Sequence, residues 1–136
     1  MSIQLSTTAR TAMAAAIETT IGTAPILRIR TGSPPANCAA SRTGTILAAM
    51  TLPSDWATSS SGALTLSGTW DDSSADATGD AGHFEIMDST ATTCHAQGTV
   101  SASGGGGDME LSQATVGIVS GQRVYVSAFT VTVGGS

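Results

Sequence analysis

Residues Arg123 to Val133 read Arg-Val-Tyr-Val-Ser-Ala-Phe-Thr-Val-Thr-Val, and the fold turns on how this stretch is extended. Val124, Val126 and Ala128 alternate with Tyr125, Phe129 and Val131, so apolar groups stand on both faces of the chain. A β-branched and aromatic run of this kind is a strand, and apolar groups on both sides give it a central place in a sheet. The rest of the chain must then supply its neighbours.

Working back toward the start, period-two or β-rich runs fall at residues 45–52, 63–69, 83–88, 94–100 and 109–115. Leu27 and Ile29 share one face of a further strand, and Arg28 and Arg30 share the other. Together these make about seven strands punctuated by Gly, Ser, Asp and Pro, which predicts a mainly β fold, a β-sandwich or jelly roll. The Pro34-Pro35 stretch from residue 32 to 43 reads as a long loop, and Gly104 to Gly107 as an exposed loop or hairpin tip. One domain over 1–136 is expected, with strands across 26–133.

A single helical pattern precedes the strands, at residues 6–22. Ala9, Ala12, Met13, Ala16, Ile17 and Ile21 recur at three- and four-residue steps, Ser6 or Thr7 can cap the start, and Gly22 can stop the end. So many small residues predict close docking on a sheet or a partner.

Of 136 residues, 76 are Ala, Thr, Ser or Gly, and lysine is absent. Five arginines against ten acids give a net charge of -5, which argues against a phosphate-neutralising face and so against nucleic acid. No apolar run approaches the ~18 residues of a membrane span, and the first residues lack the basic and apolar regions of a secretion signal. Synthesis in a cytosol, with Cys38 and Cys94 as free thiols, is the expectation. Only Trp56, Trp70, Phe84, Tyr125 and Phe129 are aromatic, so the core is thin. A thin core predicts help from neighbouring subunits; a trimer or dimer is the expectation, although nothing in the residues counts subunits.

Few side chains offer chemistry. Cys94 and His95 are adjacent, but on a strand they point to opposite faces, and with Cys38 and His83 they lack the spacing of a zinc site. Asp72, Ser74 and Asp76 alternate like a calcium loop, yet Ala77 stands where the turn glycine belongs and His83 where the bidentate glutamate belongs. The acidic stretch 71–80 is therefore expected to be a solvated, outward-facing loop. Glu85 and Asp88 read as rim charges, and no nucleophile motif or lysine is present. These observations predict no enzyme activity, no cofactor and no metal. Trp56 is either a plug over the end of the sheet or an interface anchor. A carbohydrate-binding sandwich would need Trp56, Trp70 and Tyr125 on one face.

The order of pieces carries a resemblance. Arg10-Thr-Ala-Met-Ala-Ala-Ala-Ile-Glu-Thr-Thr-Ile-Gly22 is followed by Leu27-Arg-Ile-Arg-Thr-Gly32, Gly44-Thr-Ile-Leu-Ala48, Asp72-Ser-Ser-Ala-Asp-Ala-Thr-Gly79, Gly82-His-Phe-Glu-Ile-Met-Asp-Ser89 and Gly121-Gln-Arg-Val-Tyr-Val126. Over nearly its whole length the chain resembles small structural proteins of tailed bacteriophages of Gram-negative hosts; Cys94-His95 departs from the pattern. The resemblance implies a virion component. A capsid decoration or cement protein bound to the major capsid protein is the first expectation, and a tail, neck or fibre-base subunit the second. Arg10, Arg28, Arg30 and Trp56 are the expected partner contacts, since arginine pairs strongly with acidic groups.

Overall fold

The computed structural model describes residues 3–134. Along these residues a helix, α1 (Thr7–Ile21), precedes β1 (Ile26–Thr31), β2 (Ile46–Thr51), β3 (Ala57–Ser60), β4 (Ala63–Leu66), β5 (Asp71–Asp72), β6 (Gly79–Met87), β7 (Cys94–Ser101), β8 (Met109–Leu111), β9 (Gly117–Ile118) and β10 (Val124–Thr132). The strands join in the order β2-β1-β6-β7-β8-β10-β4-β3, with β5 on β10 and β9 on β6. All pairs are antiparallel except β7 with β8. The fold is thus mainly β with one N-terminal helix, a curled mixed sheet of sandwich-like form. The seven expected strands all form, and the three additional ones are the short β3, β5 and β9.

The two-faced composition of β10 has a local cause. Its register against β8 shifts between Val126 and Ala128, and a bulge of one residue moves the inward set from even to odd positions. Val124 and Val126 are buried before the shift, and Phe129 after it. Bulges also break the register of β1 with β2 and β6, and of β6 with β7. Each adds bend and twist, which is how one sheet curls over its own core. Across that core Phe129 meets Phe84 of β6 edge-on at 5.7 Å and Trp70 at 5.3 Å, and Trp70 meets Trp56 at 6.0 Å. Four of the five aromatics therefore link β6 and β10 to the segments that lead into β3 and β5.

Ser6 caps α1, its Oγ accepting the Ala9 N–H at 3.1 Å, and Gly22 ends it at φ +91° with its N–H donated to Glu18 O. The buried face differs from the expected one. Ala14 and Ile21 are buried, whereas Ala9, Ala12, Ala16 and Met13 are exposed. Alanine recurs all round this helix, so its spacing carries little directional information; the β3–β4 turn decides the orientation. There Ser61 (φ +52°) and Gly62 (φ +78°) form a two-residue turn with both centres left-handed. Gly62 donates its N–H to Thr11 Oγ1 at 2.9 Å, and a Cβ at Gly62 would stand 2.7 Å from Arg10 Nη1.

Two further expectations are corrected. The acidic stretch does not simply face outward, because it seals the edge strand β2. Asp72 Oδ2 accepts the Ala49 N–H at 3.1 Å, the Asp76 N–H donates to Leu47 O at 2.8 Å, and Ala75 is buried between them. An open edge offers unpaired backbone groups to any passing strand, and a carboxylate placed on it blocks that pairing. For Gly104–Gly107 the exposed-loop reading holds and the hairpin tip does not, because β7 and β8 run parallel, with Val100 opposite Met109. The loop returns on itself, held by Asp108 Oδ2 accepting from Thr99 N–H and Oγ1, and by Gly107 N–H donating to Ser101 Oγ. A Cβ on Gly107 would lie 2.8 Å from Ser101 N, so the turn needs glycine there.

Asp88 organises the β6–β7 turn. Its carboxylate accepts the Thr92 N–H at 2.9 Å, the hydroxyls of Thr92 and Thr90 at 3.0 Å, and the Thr93 N–H at 3.4 Å. The Thr92 backbone bond above all, then the hydroxyls and Thr93, hold its pKa down at about 2 from an ordinary 3.8. A depressed carboxylate pKa stabilises the fold above the ordinary value, and the contribution disappears as pH falls through the folded one. Thermal midpoints should therefore drop between about 3.8 and about 2 in the wild type. The Asp88→Asn variant should start lower and show a shallower fall over that window; parallel slopes would refute the assignment.

Candidate functional site: an arginine-lined sheet face under a flap

The outer face of β1 and β6 departs most from expectation. Arg28 stands opposite Glu85, and Glu85 opposite Gln97 of β7, while Arg30 stands opposite His83 and His83 opposite Thr99. These positions face away from Leu27, Ile29, Phe84 and Ile86, which line the core. A polar row like this would ordinarily be wet. Here Glu85 and His83 are wholly buried and Arg30 nearly so, because the loop between β1 and β2 folds back over them as a flap.

The flap explains why those residue types are needed. A loop laid on a sheet brings carbonyls with no ladder to join, and each buried one requires a donor. His83 Nδ1 donates to Gly32 O at 2.9 Å, Gln97 Nε2 to Pro35 O at 2.6 Å and Arg30 Nη1 to Gly44 O at 3.1 Å. From within the flap, Arg42 Nη2 donates to the carbonyls of Asn37, Cys38 and Ala40 at 2.7–3.1 Å. Gly82 permits the close approach, since a Cβ there would lie 2.1 Å from Gly32 O.

Glu85 is the hub. Its Oε1 accepts Arg30 Nε at 2.9 Å and lies 3.9 Å from Arg28 Nη1; its Oε2 accepts Arg42 Nη1 at 3.2 Å. One buried carboxylate thus meets three guanidinium groups, leaving an excess of two positive charges. Arg28 is the least committed of the three: it makes the longest contact, and its side chain is 25% exposed against 11% for Arg30 and 17% for Arg42. On a chain that is acidic overall, this face can accept a carboxylate from outside.

The four expected contact residues do not converge. Arg28 and Arg30 share the face just described, although Arg30 is spent on Glu85 and the flap. Arg10 lies on the β3–β4 turn, at the other end of the strand order, with its Nη2 bonded to Thr7 Oγ1. Trp56 is fully buried, donating Nε1–H to Gly22 O at 2.9 Å. It is therefore a plug between α1 and the sheet and presents no surface to a partner. Glu85, expected at a rim, is instead at the centre. Arg42 carries no sequence signal beyond being the one charged residue in the loop that holds Pro34-Pro35.

The other candidates are dispersed. Cys94 and His95 point away from each other, Cys94 toward the flap and His95 toward Met13, Ile17 and Ile21 of α1. Among the described residues no three His, Cys, Asp or Glu side chains gather in a metal-holding group, and no helix is long and apolar enough to cross a membrane. Trp70 is buried with Trp56, so the aromatic platform a glycan would need is not formed. Tyr125 stands apart with the Arg123 guanidinium 5.3 Å from its ring centroid, and Arg123 Nε is paired to Asp71 at 2.8 Å. No protein-family model, curated protein or solved structure matches this chain.

Proposed function

We propose that the chain is a non-catalytic structural subunit of a tailed-bacteriophage virion. In this reading it is a decoration or cement protein that docks on the outside of the major capsid protein lattice through the Arg28 face. The observation carrying the docking side is the charge excess around Glu85: a net-negative chain turns one positive, partly open face outward, which suits an acidic patch on a partner. The virion setting rests on the resemblance of the ordered motifs from Arg10 to Val126. Charged groups elsewhere also serve the fold, Asp72 on an edge strand and Asp88 in a turn. Repetition on a lattice makes each contact count many times, so a single modest patch suffices. The exposed surface of Ser, Thr and Gly then faces solvent, and no nucleic acid or membrane contact is invoked.

Two measurements test this. Quantitative protein analysis of purified particles should find copies on the order of hundreds, as a lattice position requires; about six or twelve would move the chain to the tail or neck. Arg28→Gln should strip the protein from particles while leaving its circular dichroism and thermal midpoint close to wild type, since Arg28 makes only the long 3.9 Å contact to Glu85 and the amide sets no like charge against it. Full occupancy of particles by the variant would remove the docking assignment, and virions devoid of the protein would remove the function. Arg30 is unsuitable for this test because its loss would disturb the buried hub.

A further inference from the structure

The flap is held by hydrogen bonds and charge, and one more pair of groups bridges it to the sheet. Cys38 Sγ, in the flap, lies 2.8 Å from Cys94 Sγ, at the start of β7, and 56 positions separate the two residues. Both are free thiols and only partly buried. The approach is fixed from two sides. Arg42 binds Cys38 O at 3.1 Å with one nitrogen and Cys94 Sγ at 3.4 Å with the other, and the bulge between Ile86 and Met87 turns Cys94 toward the flap.

We propose that Cys38 and Cys94 are an oxidisable clasp, a modification site at which a low-molecular-weight disulfide converts two thiols into one bond that locks the flap over the arginine face. In the first step the Cys38 thiolate attacks oxidised glutathione, forming a Cys38–glutathione disulfide and releasing one glutathione thiolate. In the second the Cys94 thiolate attacks the Cys38 sulfur and expels the other glutathione. The protein loses two protons and two electrons, and one glutathione disulfide becomes two thiols. A thiol buffer drives the same steps backward.

The surroundings set the order. Burial first, then the hydrogen bond and charge of Cys38, push the Cys94 thiol up to about 12, against the lowering effect of Arg42. Cys94 therefore stays protonated while Cys38 is free. Capping Cys38 removes its contribution to Cys94; burial and Glu85 still hold that thiol up and Arg42 still opposes them, and the second step is carried by the contact of the two sulfurs at 2.8 Å. The sulfurs already touch, and closing to a bonded distance needs movement on the order of an ångström. The site acts on this chain alone and stands or falls independently of where the protein docks.

The test uses the full chain treated with oxidised glutathione. Expected are a mass lower by two hydrogens, loss of both titratable thiols, and a single peptide linking positions 38 and 94. The thermal midpoint should rise by on the order of 10 °C, as closure of a long loop predicts, and fall back with dithiothreitol. Amide exchange across residues 33–44 should slow with it. Cys94→Ser should stop at one glutathionyl adduct on Cys38, and Cys38→Ser should stay largely unmodified. Thiols that remain titratable in the folded protein, links between chains in place of the internal one, or a bond that leaves flap exchange and midpoint unchanged would each overturn the proposal.

Discussion

Glu85→Ala is expected to lower the unfolding free energy by about 3–5 kcal/mol, the range for removing one partner from a buried charge cluster. Domains of this size hold about 5–15 kcal/mol in total, so the variant should be only marginally folded. The size follows from what is left behind. With the carboxylate gone, Arg30 and Arg42 remain under the flap with like charges facing each other, and Arg28 stands beside them. Replacing the whole cluster by apolar groups would be another matter, since burial of the charges itself costs energy; losing only the anion exposes that cost in full. Glu85→Gln keeps the shape and one acceptor and should fall between the two. Urea unfolding with an unchanged slope measures the difference. A loss under about 1 kcal/mol, the scale of an exposed pair, would mean that the flap does not depend on the carboxylate.

Trp70→Ala should cost about 3–5 kcal/mol, because it empties a buried site lined by Trp56 and Phe129. Trp70→Phe divides that figure into its parts. The phenyl ring retains much of the packing, while the indole N–H that donates to Trp56 O and Ser67 O at 3.1 Å is lost. Trp56 O keeps the Ser67 N–H at 2.8 Å, so a single carbonyl is left without its donor, and about 1 kcal/mol is the expected loss. Chemical denaturation followed by the remaining Trp56 fluorescence reads both variants. Equal losses for alanine and phenylalanine would place the whole effect in the hydrogen bonds and contradict the packing argument.

How far the sequence foretells this molecule depends on what each residue type leaves open. The helix ends are legible because Ser6 and Gly22 have local reasons to sit there. Seven strands are legible from composition and punctuation, whereas β5 and β9, two residues each, are too short to show a period, and β3 is a run of Ala, Thr and Ser with no apolar alternation; all three exist because neighbours pair with them. In β10 the apolar groups on both sides are real, but their cause is a bulge, which no local signal marks. The burial face of α1 is illegible because alanine fits either side. Arg28 and Arg30 announce a polar face of β1; that Glu85 and His83 share it requires the β1–β6 register, and that it is covered requires a flap fifty residues away in sequence from some of its donors. The acidic stretch shows its charge and hides its task, since an edge to be sealed is a property of the assembled sheet.

The position of β10 has a consequence for synthesis. It joins β8 to β4 and carries β5, and its Phe129 bridges Trp70 and Phe84. While residues 124–132 are still within the ribosome, the β3–β4 hairpin with α1 has no lateral partner on its inner side, and the aromatic cluster lacks its keystone. Assembly of the sheet on the nascent chain must therefore wait until residues 124–132 have emerged, with Trp56 and Trp70 open to chaperones until then.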